Sequence, residues 1–347
     1  MRVDPYPGPP SIKSDQFLLP SPDRLRMMSS MRFRFRSSSV PIFAVLMALG
    51  SMAAAFLVFG KPTVSKDATP PEPAARPGRG LVWKIEGPHT SVYLAGSFHL
   101  LRQEDLPHPE TLETAYMASK QVWFEVPPGE MQKPAAAATV MALGMLPADQ
   151  SLAATIPPAT HAKVTAWTND NPALAPVLDR MRPWMVALTI MLTEYQKMGA
   201  GPEHGIEQTF QARALKDGKT TGGFESVEQQ LSFFGELTED KQNDLLDKTF
   251  EDLATSRDLI TEMIRNWKEG RETELAAQMN RSFAGHEDLK KRLLDDRNAA
   301  WIAPIERLLT GETPTLVIVG AGHLAGPGSV VELLEQKGWK LTRLGEP

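Results

Sequence analysis

The sequence predicts an α/β fold: strands from both ends of the chain form a central mixed sheet, and a long helical middle segment caps it. Short apolar runs rich in β-branched and aromatic residues lie near residues 81–126 and again at 314–344, which is typical of strands. The residues between them show the three-to-four-residue apolar spacing of amphipathic helices. We therefore expect one α/β domain over residues 81–346.

The N-terminal residues precede this domain and predict export. Residues 1–36 are basic, with seven Lys or Arg against three Asp or Glu, and residues 37–60 carry no charge. The uncharged run is long enough to span a bilayer, and it is either a retained anchor or a cleaved signal peptide. The basic flank predicts that residues 1–36 stay in the cytoplasm while the domain crosses the inner membrane into the periplasm. Residues 61–80 contain five Pro and predict a semi-rigid tether, and Met31 is an alternative to Met1 as the start.

The first elements of the domain are predicted to be strands. Leu81–Ile85 and Ser91–Ala95 are β-rich runs separated by a Gly-Pro turn, which predicts a hairpin. A short helix is expected at 110–119. The apolar run Gln121–Val126 then predicts a third strand, with Glu125 inside it.

The rest of the domain is mostly helical until its end. A long helix is predicted from Pro183, because apolar residues as far as Tyr195 recur on one face. The other predicted elements are broken helices at 127–180, a helix at 205–215, a short strand at 220–225, helices as far as 309, a strand at 314–320, a helix ending at Gly338 and a strand at 339–344.

Composition narrows the possible functions. The net charge is -5 and the folded part has no basic cluster, which disfavours a nucleic-acid partner. The chain has no Cys, so thiolate catalysis and thiolate metal ligands are excluded. The spacing H-E-x-x-H is absent, which excludes an ordinary zincin.

The most informative pattern is a G-x-x-H turn that occurs twice, each time after an apolar run. Gly96 leads to His99, and Gly320 leads to His323. Ligands of open α/β sheets collect outside the carboxyl ends of strands, so both imidazoles and Glu125 are expected there. Gly96 and Gly320 are candidate cofactor-binding positions, because glycine lets a ligand approach the backbone. Two His and one Glu can form a metal site or an acid–base site, although either motif alone is also common turn chemistry.

Further short motifs follow in order along residues 80–346. They are Leu81–Ile85 with Val92–His99, Trp123-Phe-Glu125, Arg182-Pro-Trp184, Gly205-Ile-Glu207, Phe224-Glu225-Ser226 with Glu228–Leu231, Arg297-Asn298 with Trp301, and Val319–Gly328. In these motifs and their order the chain resembles the TraB/GumN family, within the TraB/PrgY/GumN/Tiki superfamily that includes the Tiki proteases.

The resemblance implies a fold like that of the erythromycin-esterase/haem-uptake group and a metal-dependent peptidase activity like that of Tiki proteins. It implies that His99, Glu125 and His323 hold a divalent metal ion, for which Mn, Co, Zn and Fe are all compatible with His and Glu ligands. The first motif of the family is usually Gly-Thr-x-His. Here Ser97 replaces the Thr and keeps the hydroxyl.

Several charged residues are candidate catalytic groups beside Glu125. Glu207 or Glu225 is expected to act as general base towards a metal-activated water. The alternatives are that Glu207 is a first-turn helix acid and that Glu225 is exposed or caps a backbone group. Arg182 and Arg297 are expected either to steady an oxyanion or to pair with these acids.

The expected function is that of a membrane-tethered periplasmic metal-dependent hydrolase acting on a peptide or protein. One alternative is a non-catalytic binding protein for haem or another small ligand, with Tyr93 and His99 as axial or lining groups. Another is a regulatory interaction module with a degenerate site.

Overall fold

A computed structural model describes residues 78–253 and 256–345 of the chain. The predicted anchor at 37–60 lies outside the described residues, as does nearly all of the predicted tether. Among the helices that are described, none is both long and apolar enough to cross a bilayer.

A six-stranded mixed sheet forms the centre of the domain. The strands in chain order are β1 Val82–Glu86, β2 Ser91–Ser97, β3 Leu101–Arg102, β4 Gln121–Phe124, β5 Ala200–Gly201, β6 Thr220–Gly223, β7 Thr315–Gly320 and β8 Leu341–Arg343. The sheet has the order β6-β4-β7-β2-β1-β8, and β3 pairs with β5 in a separate two-stranded ribbon. This confirms the predicted mixed sheet with strands from both chain ends.

Four neighbouring strands of this sheet are parallel. β2 and β4 both pair in parallel with β7, and β6 pairs in parallel with β4. β1 is antiparallel to both β2 and β8. Every residue of β7 is buried, as expected of a parallel strand covered on both faces. The carboxyl ends of β6, β4, β7 and β2 therefore lie along one edge of the sheet.

Helices make up most of the remaining chain. In chain order they are α1 Glu110–Ala118, α2 Pro134–Gly144, α3 Leu152–Thr155, α4 Pro158–Asn169, α5 Ala175–Leu178, α6 Pro183–Lys197, α7 Ile206–Lys216, α8 Val227–Gly235, α9 Glu239–Leu253, α10 Ser256–Glu269, α11 Glu272–Ser282, α12 Glu287–Lys290, α13 Asp296–Leu309 and α14 Val330–Gln336. Short 3-10 turns lie at Gln103–Asp105, Glu130–Gln132, Pro172–Leu174 and Ala321–His323, and a π-helical turn, Lys291–Asp295, joins α12 to α13.

Most predicted elements are observed, with two corrections. The hairpin pairs Trp83 with Leu94 as expected. β4 ends at Phe124, so Glu125 follows the strand rather than lying inside it, because its backbone carbonyl turns to bind the amide of Glu225. α6 is buried on nearly all sides rather than on one face, because it is an interior helix that packs against α9.

Candidate functional site

The structure places four of the predicted site residues just beyond the parallel strands. Glu225 follows β6, Glu125 follows β4, His323 follows β7 and His99 follows β2. β2 and β7 are direct neighbours, with Ser97 opposite Gly320. Both G-x-x-H turns therefore leave the sheet side by side, at the edge where open α/β sheets bind ligands.

One cluster is centred on Arg297, in the first turns of α13. Its Nε and Nη2 donate to the two carboxylate oxygens of Glu225, both at 2.8 Å. Nη2 also donates to Glu125 Oε2 at 2.8 Å, and Nη1 donates to His323 Nε2 at 3.1 Å and to the Leu293 carbonyl at 3.0 Å. All three guanidinium nitrogens thus have acceptors within the domain. We call Arg297, Glu125, Glu225 and His323 the Arg297 cluster.

Burial and charge act in opposite directions on this arginine. Burial lowers the pKa of Arg297, but Glu225 and Glu125 together raise it by more, so the net direction is upward from its ordinary value. Arg297 therefore stays charged. With two carboxylates, one guanidinium and a neutral imidazole, the cluster carries a formal charge of about -1.

Both carboxylates of the cluster have further donors. Gly320 N–H donates to Glu125 Oε1 at 2.8 Å, and Gln230 Nε2 lies 3.1 Å from Oε2 of both Glu125 and Glu225. Trp301 Nε1 donates to Glu225 Oε1 at 3.0 Å. The acids are therefore held by neutral donors as well as by a cation, which is the requirement for a buried carboxylate.

The hydrogen-bond network fixes the orientation of the second histidine. Asn298 Nδ2 donates to the Gly328 carbonyl at 2.8 Å, which turns Asn298 Oδ1 towards His323 Nδ1 at 2.6 Å. His323 Nδ1 therefore carries the proton, and its Nε2 is the acceptor that faces Arg297. The imidazole is fully buried and lies 4.5 Å from the Trp301 ring, centroid to centroid.

A second group surrounds the first histidine. His99 Nδ1 lies 2.8 Å from Glu207 Oε1, and the Ser97 hydroxyl donates to that same oxygen. Within the described part of the chain, the buried Glu207 Oε2 has no hydrogen-bond partner. We call His99 and Glu207 the His99 pair. It contains a carboxylate oxygen that can accept another bond.

The backbone brings Glu207 to this position. Glu207 lies in the first turn of α7, and Ile206 N–H donates to the Phe98 carbonyl at 3.1 Å. A side chain on Gly205 would overlap the carbonyl oxygen of His99, so glycine permits the close approach. Glu207 is thus both a first-turn helix acid and the partner of His99, which combines the two sequence alternatives.

The two motif glycines make contacts within the domain. A side chain on Gly96 would lie 3.0 Å from Ala321 Cα, so Gly96 lets the two turns pack together. The Gly96 carbonyl accepts a 2.7 Å bond from Trp267 Nε1. Gly320 N–H is used by Glu125. Their predicted part in cofactor binding receives no support from these contacts.

Two other predicted residues, among those the structure describes, form no side-chain hydrogen bond or ion pair with either group. Arg182 immediately precedes α6, and its side chain makes no capping hydrogen bond there. Within the described residues it forms no ion pair, and its buried Nε has no hydrogen-bond partner. Tyr93 lies on β2 opposite Lys84, four residues before Ser97, which is about 13 Å along a strand. This spacing does not support a haem with Tyr93 and His99 as its two axial ligands.

Sequence analysis gave no role to two of the supporting residues, Trp267 and Gln230, although Gln230 lies within the motif Glu228–Leu231. Gln230 lies with Val227, Leu231 and Phe234 on the buried face of α8. A polar residue in an apolar helical stripe was the available signal. Trp267 gave no such signal, because a Trp on the apolar face of α10 is indistinguishable from a core residue.

The residues do not fit a metal centre built from His99, Glu125 and His323. His323 Nε2 and Glu125 Oε2 both accept hydrogen bonds from Arg297, so a cation already occupies the position that these two side chains share. Over residues 78–253 and 256–345, no group of three or more His, Asp or Glu side chains is arranged to hold a metal ion. The arrangement instead offers a buried imidazole–carboxylate pair and, at the same edge of the sheet, an arginine whose charge is balanced by two carboxylates.

Comparison with known proteins agrees with the motifs. The profile of the TraB/PrgY/gumN family matches residues 81–343. The chain is 28% identical over 162 residues to "Uncharacterized protein YbaP" of Escherichia coli (strain K12) and of Shigella flexneri, covering 46% of this chain. It spans only 60% of the length of each YbaP. An uncharacterized protein of Treponema pallidum (strain Nichols) is 22% identical over 271 residues, covering 74% of this chain and 80% of the relative.

No solved structure matches the chain significantly. The family match covers the whole described sheet and both G-x-x-H turns. The chain therefore belongs to the TraB/PrgY/gumN family.

Proposed function

We propose that the domain is a hydrolase of peptide bonds that uses the His99 pair as its acid–base group. The observation that carries the proposal is the 2.8 Å contact between His99 Nδ1 and Glu207 Oε1 at the carboxyl edge of the sheet. A carboxylate this close to the ring stabilises the imidazolium that forms when a proton arrives.

The reaction that this pair supports is general-base hydrolysis. His99 takes a proton from water, the water oxygen attacks the peptide carbonyl carbon, and His99 returns the proton to the departing amine. The products are a carboxylic acid and an amine. Ser97 donates to Glu207 rather than to His99, so its geometry is that of a residue that positions the base, not of a nucleophile.

The two arginines have different places in this proposal. Arg297 has its guanidinium nitrogens bonded to Glu225, Glu125, His323 and Leu293, so it acts as an ion-pairing residue. Arg182 has a buried Nε with no partner among the described residues. No hydrogen bond or ion pair joins it to the His99 pair among the described residues, so it takes no step in this reaction. Glu225, which Arg297 and Trp301 hold, is a structural acid here rather than the general base.

A second candidate is metal-dependent hydrolysis with the ion on the side of the His99 pair. Glu207 Oε2 favours this second reaction. It is a buried carboxylate oxygen that has no hydrogen-bond partner among the described residues, so it is available as a metal ligand. Glu125 and His323 are not part of that ligand set, since both bind Arg297.

Export forms the last part of the proposal. The basic residues 1–36 and the uncharged residues 37–60 support an inner-membrane anchor or signal peptide, with the domain in the periplasm. A peptide or protein of the cell envelope would then be the substrate.

Purified full-length protein incubated with a library of quenched fluorescent peptides tests this function. Wild type should cleave members of the library, and His99→Ala and Glu207→Gln should lower the rate by about 10²–10⁴-fold. Glu262→Gln, at an exposed acid on α10, is the matched control and should keep the wild-type rate. An unchanged rate in His99→Ala would contradict the proposal.

Chelation separates the two candidates. With EDTA present, general-base hydrolysis should continue, whereas the metal-dependent reaction should stop and return with added Mn²⁺, Co²⁺ or Zn²⁺. If no peptide is cleaved but peptides or haem bind, with a Soret shift in the case of haem, the non-catalytic alternative replaces both.

A further inference from the structure

We propose that the Arg297 guanidinium is the resident cation of the second G-x-x-H motif, in the position that a divalent metal ion would otherwise take. Glu125, Glu225 and His323 converge on this one group, with donor–acceptor distances of 2.8, 2.8 and 3.1 Å. The inference concerns these side chains alone and does not depend on whether the protein hydrolyses peptides.

The orientation of His323 is the first argument. A histidine that ligates a metal donates its other ring N–H to an oxygen acceptor, which fixes the tautomer. His323 Nδ1 does this with Asn298 Oδ1 at 2.6 Å, and Asn298 is itself fixed by the Gly328 carbonyl. Nε2 is thereby prepared as a lone-pair donor to a cation, and the cation that it meets is Arg297 Nη1.

Charge is the second argument. The side chains of Glu125 and Arg297 are almost fully buried, and that of Glu225 is only 7% exposed. Two carboxylates so close together in a buried site require a positive charge between them. The guanidinium supplies it and matches both carboxylates with planar, forked N–H groups. A metal ion bound to the same carboxylates would lie next to the guanidinium, and the two positive charges would repel each other. The metal ion and the guanidinium therefore compete for one position.

The local backbone is the third argument, because it holds Arg297 in place. The π-helical turn Lys291–Asp295 precedes α13, and π-turns are frequent at functional sites. The Leu293 carbonyl of this turn accepts the remaining bond from Arg297 Nη1 at 3.0 Å. Trp301 and Phe233 lie 5.0 and 5.3 Å from the guanidinium carbon, measured to the ring centroids. These contacts therefore hold the guanidinium in a fixed position.

It follows that a neutral, short side chain at 297 should convert the cluster into a metal site. Removing the guanidinium leaves a formal charge of about -2 and three ligand groups around a cavity. The ligands now surround a planar group and must move inward by about 1–2 Å to reach metal–oxygen distances near 2.0–2.2 Å. Mn²⁺ and Co²⁺ are suitable probes, since both accept mixed carboxylate and imidazole ligands.

The experiment measures metal content rather than activity. Full-length wild type, Arg297→Ala, Arg297→Gln and the exposed control Arg265→Ala are incubated with Mn²⁺ or Co²⁺, desalted, and analysed by plasma mass spectrometry. We expect about one ion per chain in the two Arg297 variants and at least about tenfold less in the control. The Co²⁺-loaded Arg297 variants should show a visible d–d absorption band. The Tm of these variants should be higher with metal than without it.

Two results would overturn the inference. One is a wild-type protein that holds a stoichiometric divalent ion and loses it on His323→Gln, because the metal and Arg297 would then coexist on the same ligands. The other is folded Arg297→Gln or Arg297→Ala protein that takes up no more metal than Arg265→Ala. A wild-type ion that persists in His323→Gln would support the inference, because it would lie elsewhere. The wild-type comparison decides the matter even if neither Arg297 variant folds.

Discussion

Replacing Glu225 by glutamine tests whether this acid is a structural ion-pair partner of Arg297 or a carboxylate available as a general base. The substitution keeps the shape of the side chain and removes its charge. Glu225 Oε1 accepts from Arg297 Nε and Trp301 Nε1, and Oε2 accepts from Arg297 Nη2, with Gln230 Nε2 3.1 Å away. A glutamine must place its NH₂ group at one of these two positions.

Either orientation of that amide breaks the network. An NH₂ group at the Oε1 position meets the N–H groups of Arg297 and Trp301. At the Oε2 position it meets the other donor nitrogen of Arg297. At least one hydrogen bond to a charged group is lost, at about 1.5–3 kcal/mol, and a buried donor faces another donor. We therefore expect a loss of about 2–4 kcal/mol in the free energy of unfolding.

Thermal unfolding followed by tryptophan fluorescence measures this loss. For a domain of this size, about 2–4 kcal/mol corresponds to a decrease in Tm of about 5–15 °C. Glu262→Gln, at an exposed acid on α10, should change the free energy of unfolding by less than about 0.5 kcal/mol. A Tm of Glu225→Gln equal to that of Glu262→Gln would refute the assignment of Glu225 as a clamped ion-pair partner.

Two further predictions concern acid stability and topology. Burial raises the pKa of the Asp247 carboxyl, but bonds from Lys163 and Thr160 lower it by more, so it lies below its ordinary value. A depressed folded-state pKa gives stability that is present above about pH 4 and is lost as pH falls through that pKa. The urea midpoint of Lys163→Met should therefore decrease less than that of the wild type between neutral and acid pH. Equal decreases in the two proteins would contradict this. Because the chain has no Cys, a single Cys at Glu262 should react with a membrane-impermeant maleimide in spheroplasts if the domain is periplasmic, and reaction only after lysis would refute export.

The edge of the sheet could be predicted from sequence because each strand carries a local signal. The apolar run 315–319 and the glycine that follows it mark both a buried strand and its end. The same holds for the run before Gly96. Parallel pairing then brings the two turns together, since strands of the same direction end at the same edge.

The partners of each site residue could not be predicted, because they come from side chains far apart in the chain. Glu125 and Arg297 are 172 residues apart. Their spacing in sequence carries no information about whether the arginine faces an acid or a substrate. Gln230 is similar, since its neutral amide adds the donor that two adjacent carboxylates need, and only the helical stripe hints at its burial.

The two G-x-x-H turns have the same spacing and the same position on the sheet, but their histidines face different charges. His99 meets the carboxylate of Glu207, because Gly205 allows α7 to start against that turn. His323 meets the guanidinium of Arg297, because α13 begins beside the end of β7. A carboxylate makes an imidazole a better base, whereas a guanidinium occupies the lone pair that a base or a metal ligand would use. Identical motifs can therefore have different surroundings: the imidazole of the first motif lies against a carboxylate, and that of the second lies against a guanidinium.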